Sequence, residues 1–312
     1  MKLHIGYLLP TREAVMEGRP EAEPLLKLAE RAEKLGYDSV WVGDSLLARP
    51  RHEPITLLAA VAGRTRHVKL GTAVLLPILR NPVLLAHQVA TLDQVSSGRV
   101  ILGIGIASDV PNVRAEFRSA GVPFEKRVGT LMEGMRLCKA LWSGLPVDWE
   151  GRWHVEQGVL GPTPHQKGGP PIWGGGSAPA ALARAGKHFD GWFPNGPDSK
   201  SWGEQWRQVQ AIAREAGRDP NDIAPATYLT LAVNEDVAKA EQRMDEFMLA
   251  YYGRRPDVGK KRDVCFAGSA AAAVEWLNGY VREGARNLVL RFAGEHERHQ
   301  EVFARVREEL GA

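Results

Sequence analysis

Three glycines and a serine, Gly174-Gly175-Gly176-Ser177, follow the apolar pair Ile172-Trp173 and run straight into a helical pattern. Glycines let successive backbone N–H groups converge, and a helix N-terminus favours an anion through its free amides and dipole. Ser177, at the N-cap position of that helix, adds a hydroxyl. These residues suit phosphate binding; their plainer role is a tight turn in which Ser177 caps its own helix.

Four further segments carry chemistry-bearing residues. Gly43-Asp44-Ser45 puts a carboxylate where a strand pattern stops. Asp44 could accept hydrogen bonds from a bound ring or work as a general acid or base, or it could cap a turn. Gly71-Thr72-Ala73-Val74 is a run of small residues that would let backbone approach a ligand or allow tight packing. The loop Asn195 to Lys200 carries one cation, Lys200. Arg291 ends an apolar run, where a guanidinium suits a phosphate or acidic substrate, or pairs with Glu295.

All these segments fall at the ends of predicted strands. Apolar runs at Leu3–Leu9, Ser39–Val42, Val68–Leu75, Val100–Ile104, Ile172–Trp173, Gly191–Phe193, Ala224–Val233 and Leu288–Arg291 read as strands. Helical patterns separate them, such as Glu21–Leu35 with Gly36 as its left-handed stop, and Pro82–Val95 with proline in its first turn. Eight strands alternating with helices imply a parallel sheet, either a closed (β/α)8 barrel or an open doubly wound sheet. No Gly-x-Gly-x-x-Gly follows the first strand, which disfavours a dinucleotide fold. In a barrel the site lies at the C-terminal strand ends, where the residues named above fall.

The alternation is interrupted twice. About 143–171 is rich in glycine, proline and tryptophan and reads as an insertion with a short hairpin; about 253–266 is irregular. The 312 residues are otherwise expected to form a single domain.

Composition excludes several classes. The 40 Lys and Arg balance 37 Asp and Glu, too even for a nucleic-acid binder. The two cysteines, Cys138 and Cys265, are too few for a disulfide framework or zinc site and read as buried free thiols. None of the nine histidines forms a ligand pair at a strand end, so no metal is expected. His296 and His299 share a helix face near the chain end and read as solvated. There is no Gly-x-Ser-x-Gly elbow for a serine hydrolase. With neither a signal peptide nor a membrane-length apolar run, a cytoplasmic location is expected.

The chain resembles the luciferase-like monooxygenase superfamily along nearly its whole length. Ala32 to Trp41, Val68 to Val74, Arg80-Asn81-Pro82 continuing into Ala90 to Arg99, Gly121 to Phe124 with Arg127, and Pro171 to Ser177 with Asp190-Gly191-Trp192 carry the likeness. The resemblance implies a TIM barrel with FMN or the deazaflavin coenzyme F420 in its mouth. Gly175, Gly176 and Ser177 would hold the cofactor phosphate, aided by Lys200 and Arg291. Thr72, Ala73 and Val74 would back the ring, with a non-prolyl cis bond at Ala73–Val74. An acidic residue after the second strand, here Asp44, is a mark of the deazaflavin branch and would be the catalytic group. The deazaflavin members usually follow it with a histidine; here Ser45 stands instead.

The resemblance therefore implies hydride transfer between F420 and a small organic substrate. The alternatives are an FMN-dependent monooxygenase fed by a partner reductase, and a non-catalytic flavin-binding barrel. A homodimer through the helices Pro54–Arg64 and Pro82–Val95 is the family expectation.

Overall fold

The computed structural model describes residues 2–252 and 265–310. Its strands are β1 (His4–Leu8), β2 (Ser39–Val42), β3 (Lys69–Thr72), β4 (Val100–Ile104), β5 (Val147–Glu150), β6 (His154–Gly158), β7 (Ile172–Gly174), β8 (Gly191–Trp192), β9 (Ala224–Val233), β10 (Cys265–Gly268) and β11 (Asn287–Phe292). Its α-helices are α1 (Thr11–Met16), α2 (Glu23–Lys34), α3 (Pro54–Arg64), α4 (Pro82–Val95), α5 (Pro111–Ser119), α6 (Arg127–Leu141), α7 (Pro179–His188), α8 (Ser199–Glu215), α9 (Val237–Tyr252), α10 (Ala270–Arg282) and α11 (His296–Arg305).

Parallel pairing runs β11-β1-β2-β3-β4-β7-β8, and β9 bonds both β8 and β11, so the sheet closes into an eight-stranded barrel. The sequence left barrel and open sheet as alternatives; the β8–β9 and β9–β11 ladders decide for the barrel. Residues of β2 are buried on both faces, as expected of a strand with side chains inside the barrel on one side and helices on the other. β10 lies outside the eight, alongside the last four residues of β9. Cys265 and Phe266, expected in an irregular stretch, thus begin a strand; the rest of that stretch, 253–264, lies outside the described residues.

Local signals set the helix starts. Asn81 caps α4 by accepting from Val83 N at 2.9 Å, with Pro82 at the first helical position. Glu53 caps α3 through Thr56 N at 2.7 Å. Within the 143–171 insertion, β5 and β6 form an antiparallel hairpin tied to α6 by Glu133, which accepts from Arg152 N at 2.6 Å. Asp93 of α4, fully buried, anchors the return by accepting from Gln166 N and Nε2.

Aromatic rings fill the barrel. Trp41 meets Phe193 at 5.0 Å and Trp173 at 5.4 Å between ring centroids. A Cβ at Gly71 would stand 2.1 Å from the Trp41 ring, so glycine is required there for the tryptophan to lie across the interior. This plug, with Tyr228 and Ala73 at its upper edge, is the floor on which the mouth cavity rests. Cys138 and Cys265 are buried free thiols. Among the described residues no helix is long and apolar enough to cross a membrane.

Candidate active site

A cavity of about 480 Å³ opens at the C-terminal ends of the barrel strands. Its walls bring together Asp44, Ala73, Val74, Gly175, Gly176, Ser177 and Arg291, residues up to 247 positions apart in sequence. Six of these come from the ends of β2, β3 and β7, and Arg291 from β11.

The peptide bond Ala73–Val74 is cis. The chain leaving β3 stays close to the barrel: Ala73 N donates to Val42 O at 2.7 Å and Leu75 N to Gly103 O at 2.7 Å. Facing Val74 is Gly105, where a Cβ would come within 2.7 Å of the valine side chain. Thr72 does not reach the cavity. It is buried in the barrel wall, its hydroxyl donating to Gly103 O at 2.8 Å. A strand alternates its side chains between faces, so Thr72 and Ala73 cannot both face the mouth.

The glycine loop forms a cradle. Gly176 has φ of +101°, a conformation that side-chain-bearing residues rarely adopt. A Cβ there would lie 3.1 Å from Ala181 Cβ, and its carbonyl is held by Trp192 Nε1 at 2.9 Å. Ser177 lines the cavity but is not the helix cap. Ala178 occupies that position, because Pro179 takes the first helical place. Ala178 has no side-chain oxygen to give, so the amides at this helix start receive no side-chain cap.

Asp44 is almost wholly buried and already engaged. Its Oδ2 accepts from Arg80 Nη1 at 2.6 Å and from Leu76 N at 2.9 Å; its Oδ1 accepts from Arg80 Nη2 at 3.1 Å. Arg80 in turn reaches Glu53 at 3.0 Å. A carboxylate gripped at both oxygens is fixed in place, which suits orientation more than proton shuttling.

Lys200 is not part of this assembly. Asp198 caps α8 by accepting from Ser201 N, the helix starts at Ser199, and Lys200 is carried into its first turn, exposed and outside the cavity lining.

Several lining residues did not stand out in the sequence. Glu116 of α5, 2% exposed, accepts through a single oxygen from Ser45 Oγ at 2.8 Å, Leu47 N at 2.7 Å and Ala48 N at 3.1 Å. It thereby pins the loop after β2 that carries Arg49 and Arg51 to the cavity. Tyr251 and Tyr252, at the end of α9, complete that wall. Arg291 is buried against them; its Nη1 donates to Tyr252 Oη at 3.0 Å, and Nε and Nη2 donate to Thr230 Oγ1. The expected alternative partner Glu295 makes its ion pair with Arg298 instead.

Glycines, a helix start without a side-chain cap and a small-residue shelf make a surface for a phosphorylated planar ligand; among the described residues no cluster could hold a metal ion. The family model described as luciferase-like monooxygenase matches residues 3–312. A 5,10-methylenetetrahydromethanopterin reductase of Methanolobus tindarius is 29% identical over 84% of this chain and 77% of its own. An F420-dependent glucose-6-phosphate dehydrogenase of Amycolatopsis mediterranei is 34% identical over 69% of this chain and 67% of its own. Among solved structures, an F420-dependent secondary alcohol dehydrogenase in complex with an F420-acetone adduct superposes with a TM-score of 0.85. It is 21% identical, over 99% of each chain.

Proposed function

From the premise that this chain belongs to the luciferase-like monooxygenase family, we propose that it is a coenzyme F420-dependent oxidoreductase acting on a small organic substrate. The observation that carries the proposal is the convergence of the Gly175-Gly176-Ser177 cradle and the Ala73–Val74 shelf on one cavity with Asp44. F420 supplies hydride-transfer chemistry when bound.

The chain's own residues do the rest. Gly176 offers its backbone N–H, and Ser177 a hydroxyl, to the cofactor phosphate, while Gly175, whose N–H donates to Ile104 O at 3.0 Å, ties the cradle to β4. Ala73 and Val74 support the ring from behind. Asp44, held by Arg80, is the fixed acceptor that sets the ring's orientation beside the shelf. Phe193 and the rings beneath it keep water from the reacting face. Arg291 stands at the far wall of the cavity, away from the glycine cradle, whereas Lys200 and Thr72 lie outside its lining.

The assembly we propose is a cytoplasmic homodimer joined through α3 and α4. Leu84 and Val95 of α4 expose apolar surface there, 55% and 53% accessible. A single light-scattering mass at twice the chain mass supports this; a monomer mass rejects it.

Titration of the purified protein with F420 and, separately, with FMN tests the cofactor. Tight F420 binding with weak FMN binding is expected. Tight FMN binding would move the enzyme to the reductase-fed monooxygenase class, and binding of neither would sink the reading of the glycine cradle.

A further inference from the structure

Among the described residues two arginines are buried, and they are buried differently. Arg99, 8% exposed, spends all five N–H donors. It gives Nε to Ser96 O, Nη1 to Thr65 Oγ1 and Val68 O, and Nη2 to Ala62 O and Thr65 O. Its role is structural and complete.

Arg291, 3% exposed, makes three hydrogen bonds to just two neutral hydroxyls, those of Thr230 and Tyr252. Two of its donors are left over, and it lines the mouth cavity. No carboxylate lies within ion-pair distance of it among the described residues. Its other neighbours are ring faces, with Tyr251 at 4.7 Å, Phe247 at 5.0 Å and Tyr228 at 5.2 Å from the guanidinium carbon. Arginine is seldom buried without an anion, because desolvating the charge is costly.

Two more guanidiniums stand on the same wall, also without a carboxylate among the described residues. Arg51 donates to Arg49 O at 3.1 Å and Tyr251 Oη at 3.2 Å; Arg49 lies 5.2 Å over the Tyr252 ring. The acidic groups nearby do not answer them. Asp44 is taken by Arg80, and the Glu116 oxygen that is bonded is filled by three donors. Glu13 feels Arg291, Arg51 and Arg12 from behind the wall but bonds none of them, and burial pushes its carboxyl up.

The strand order puts this wall opposite the glycine cradle. Arg291 belongs to β11 and Arg49 and Arg51 follow β2, flanking β1, whereas Gly176 and Ser177 follow β7, four strands from β1 on either path around the barrel. The Ala73–Val74 shelf lies between. One phosphate cradle and one separate cationic wall therefore face each other across a single cavity.

We propose that Arg49, Arg51 and Arg291 bind an acidic group, carboxylate or phosphate, on the organic substrate, so that the enzyme selects anionic substrates. This rests on the reading of the opposite side as the cofactor's side, and it assigns Arg291 to substrate, not cofactor. Paired guanidinium donors against a planar or tetrahedral oxyanion give both affinity and orientation.

The test titrates the F420-loaded protein by calorimetry with inorganic phosphate and, separately, with succinate. One anion is expected to bind with unit stoichiometry, more weakly as salt rises. Which of the two binds more tightly identifies phosphate or carboxylate as the natural group. Arg291→Met and Arg51→Met should each weaken it about ten- to hundredfold, while F420 binding, read by fluorescence, stays as in the wild type. Should Arg291→Met lose its folded circular-dichroism signal, Arg51→Met decides alone. Binding of neither anion, unchanged anion affinity in the folded variants, or loss of F420 binding in step with anion binding overturns the proposal. If the wild type takes no F420, the cofactor reading has failed on its own. The wall is then tested on the apo-protein with Ser177→Ala as control: phosphate binding lost in the wall variants and kept in the control upholds it, and the reverse overturns it.

Discussion

Arg80 holds both oxygens of Asp44, at 2.6 Å and 3.1 Å, and Leu76 N adds a third bond, to Oδ2, at 2.9 Å. The pair is largely out of water, with Asp44 3% and Arg80 16% exposed as side chains. Removing one partner leaves the other charge buried and unpaired, a loss of about 3–5 kcal/mol. Arg80→Met should therefore lower unfolding stability by several kcal/mol in urea melts, and Asp44→Asn/Arg80→Met should recover part of that loss. A double variant no more stable than Arg80→Met would show that the pair is not coupled. Asp44→Asn should weaken F420 binding as well, because the charge is lost and one of the two acceptor oxygens becomes an NH2 donor; wild-type affinity would remove Asp44 from the site.

Glu116 ties a loop to a helix with one oxygen and three donors. Hydrogen bonds to an ionised group are worth about 1.5–3 kcal/mol each, less when neighbouring bonds relax together. Glu116→Ala should unfasten the segment Ser45 to Arg49 and swing Arg49 and Arg51 away from the cavity. Hydrogen exchange would show it: the Leu47 and Ala48 amides lose protection, while those of β3 keep theirs. Protection unchanged at 47 and 48 would mean that the loop is held by other contacts, such as Asn112 Nδ2 to Ala48 O at 3.1 Å.

Much of this barrel was readable in the sequence because its signals are local. Alternating apolar runs and helical faces gave eight strands in order, and Ala224–Val233 coincides with the observed β9. Closure was not readable, since it depends on β9 bonding β8 as well as β11, which no local pattern encodes. The site was half readable. Glycines, Asp44 and Arg291 stand out by type at strand ends, but their partners do not. Arg80 stands out only as part of Arg80-Asn81-Pro82, and Glu116 belongs to no segment that the sequence singles out, because long-range polar contacts leave no periodicity. Lys200 misled because a lone cation beside a turn looks the same whether the helix starts before or after it.

Gly176 can be tested by adding one methyl group. At φ of +101° any side chain strains the backbone, and Ala181 Cβ would stand 3.1 Å away. The cradle must then shift by about the room that the methyl needs, at a cost of about 1–3 kcal/mol. Gly176→Ala should weaken F420 binding by about tenfold or more, with a smaller change in stability, because Trp192 Nε1 still holds the carbonyl. Full cofactor affinity in Gly176→Ala would separate the glycine loop from the phosphate.

His299 and His296 set the acid limit of the fold. Sequence placed them in solvent at the chain end, but α11 packs against the barrel and His299 is 1% exposed. His299 Nδ1 donates to Glu295 O at 2.9 Å, and Nε2 accepts from Val233 N at 2.8 Å, so a second proton on the ring would break the Val233 bond. Burial lowers the pKa of His299, and burial, with the charges of His299 and Arg19, takes His296 down to about 3. Both imidazoles are thus neutral when folded, and the unfolded chain binds more protons below its histidine range near 6.5. Stability is complete above that range and falls with pH toward the folded values. Between pH 7 and pH 5, His296 alone accounts for about 2 kcal/mol of loss, and His299 adds in the same direction. Urea melts at the two pH values should show this drop, and His299→Gln, whose amide oxygen can still accept from Val233 N, should show a shallower one. Equal slopes in the wild type and His299→Gln would mean that His299 is protonated in the folded protein after all.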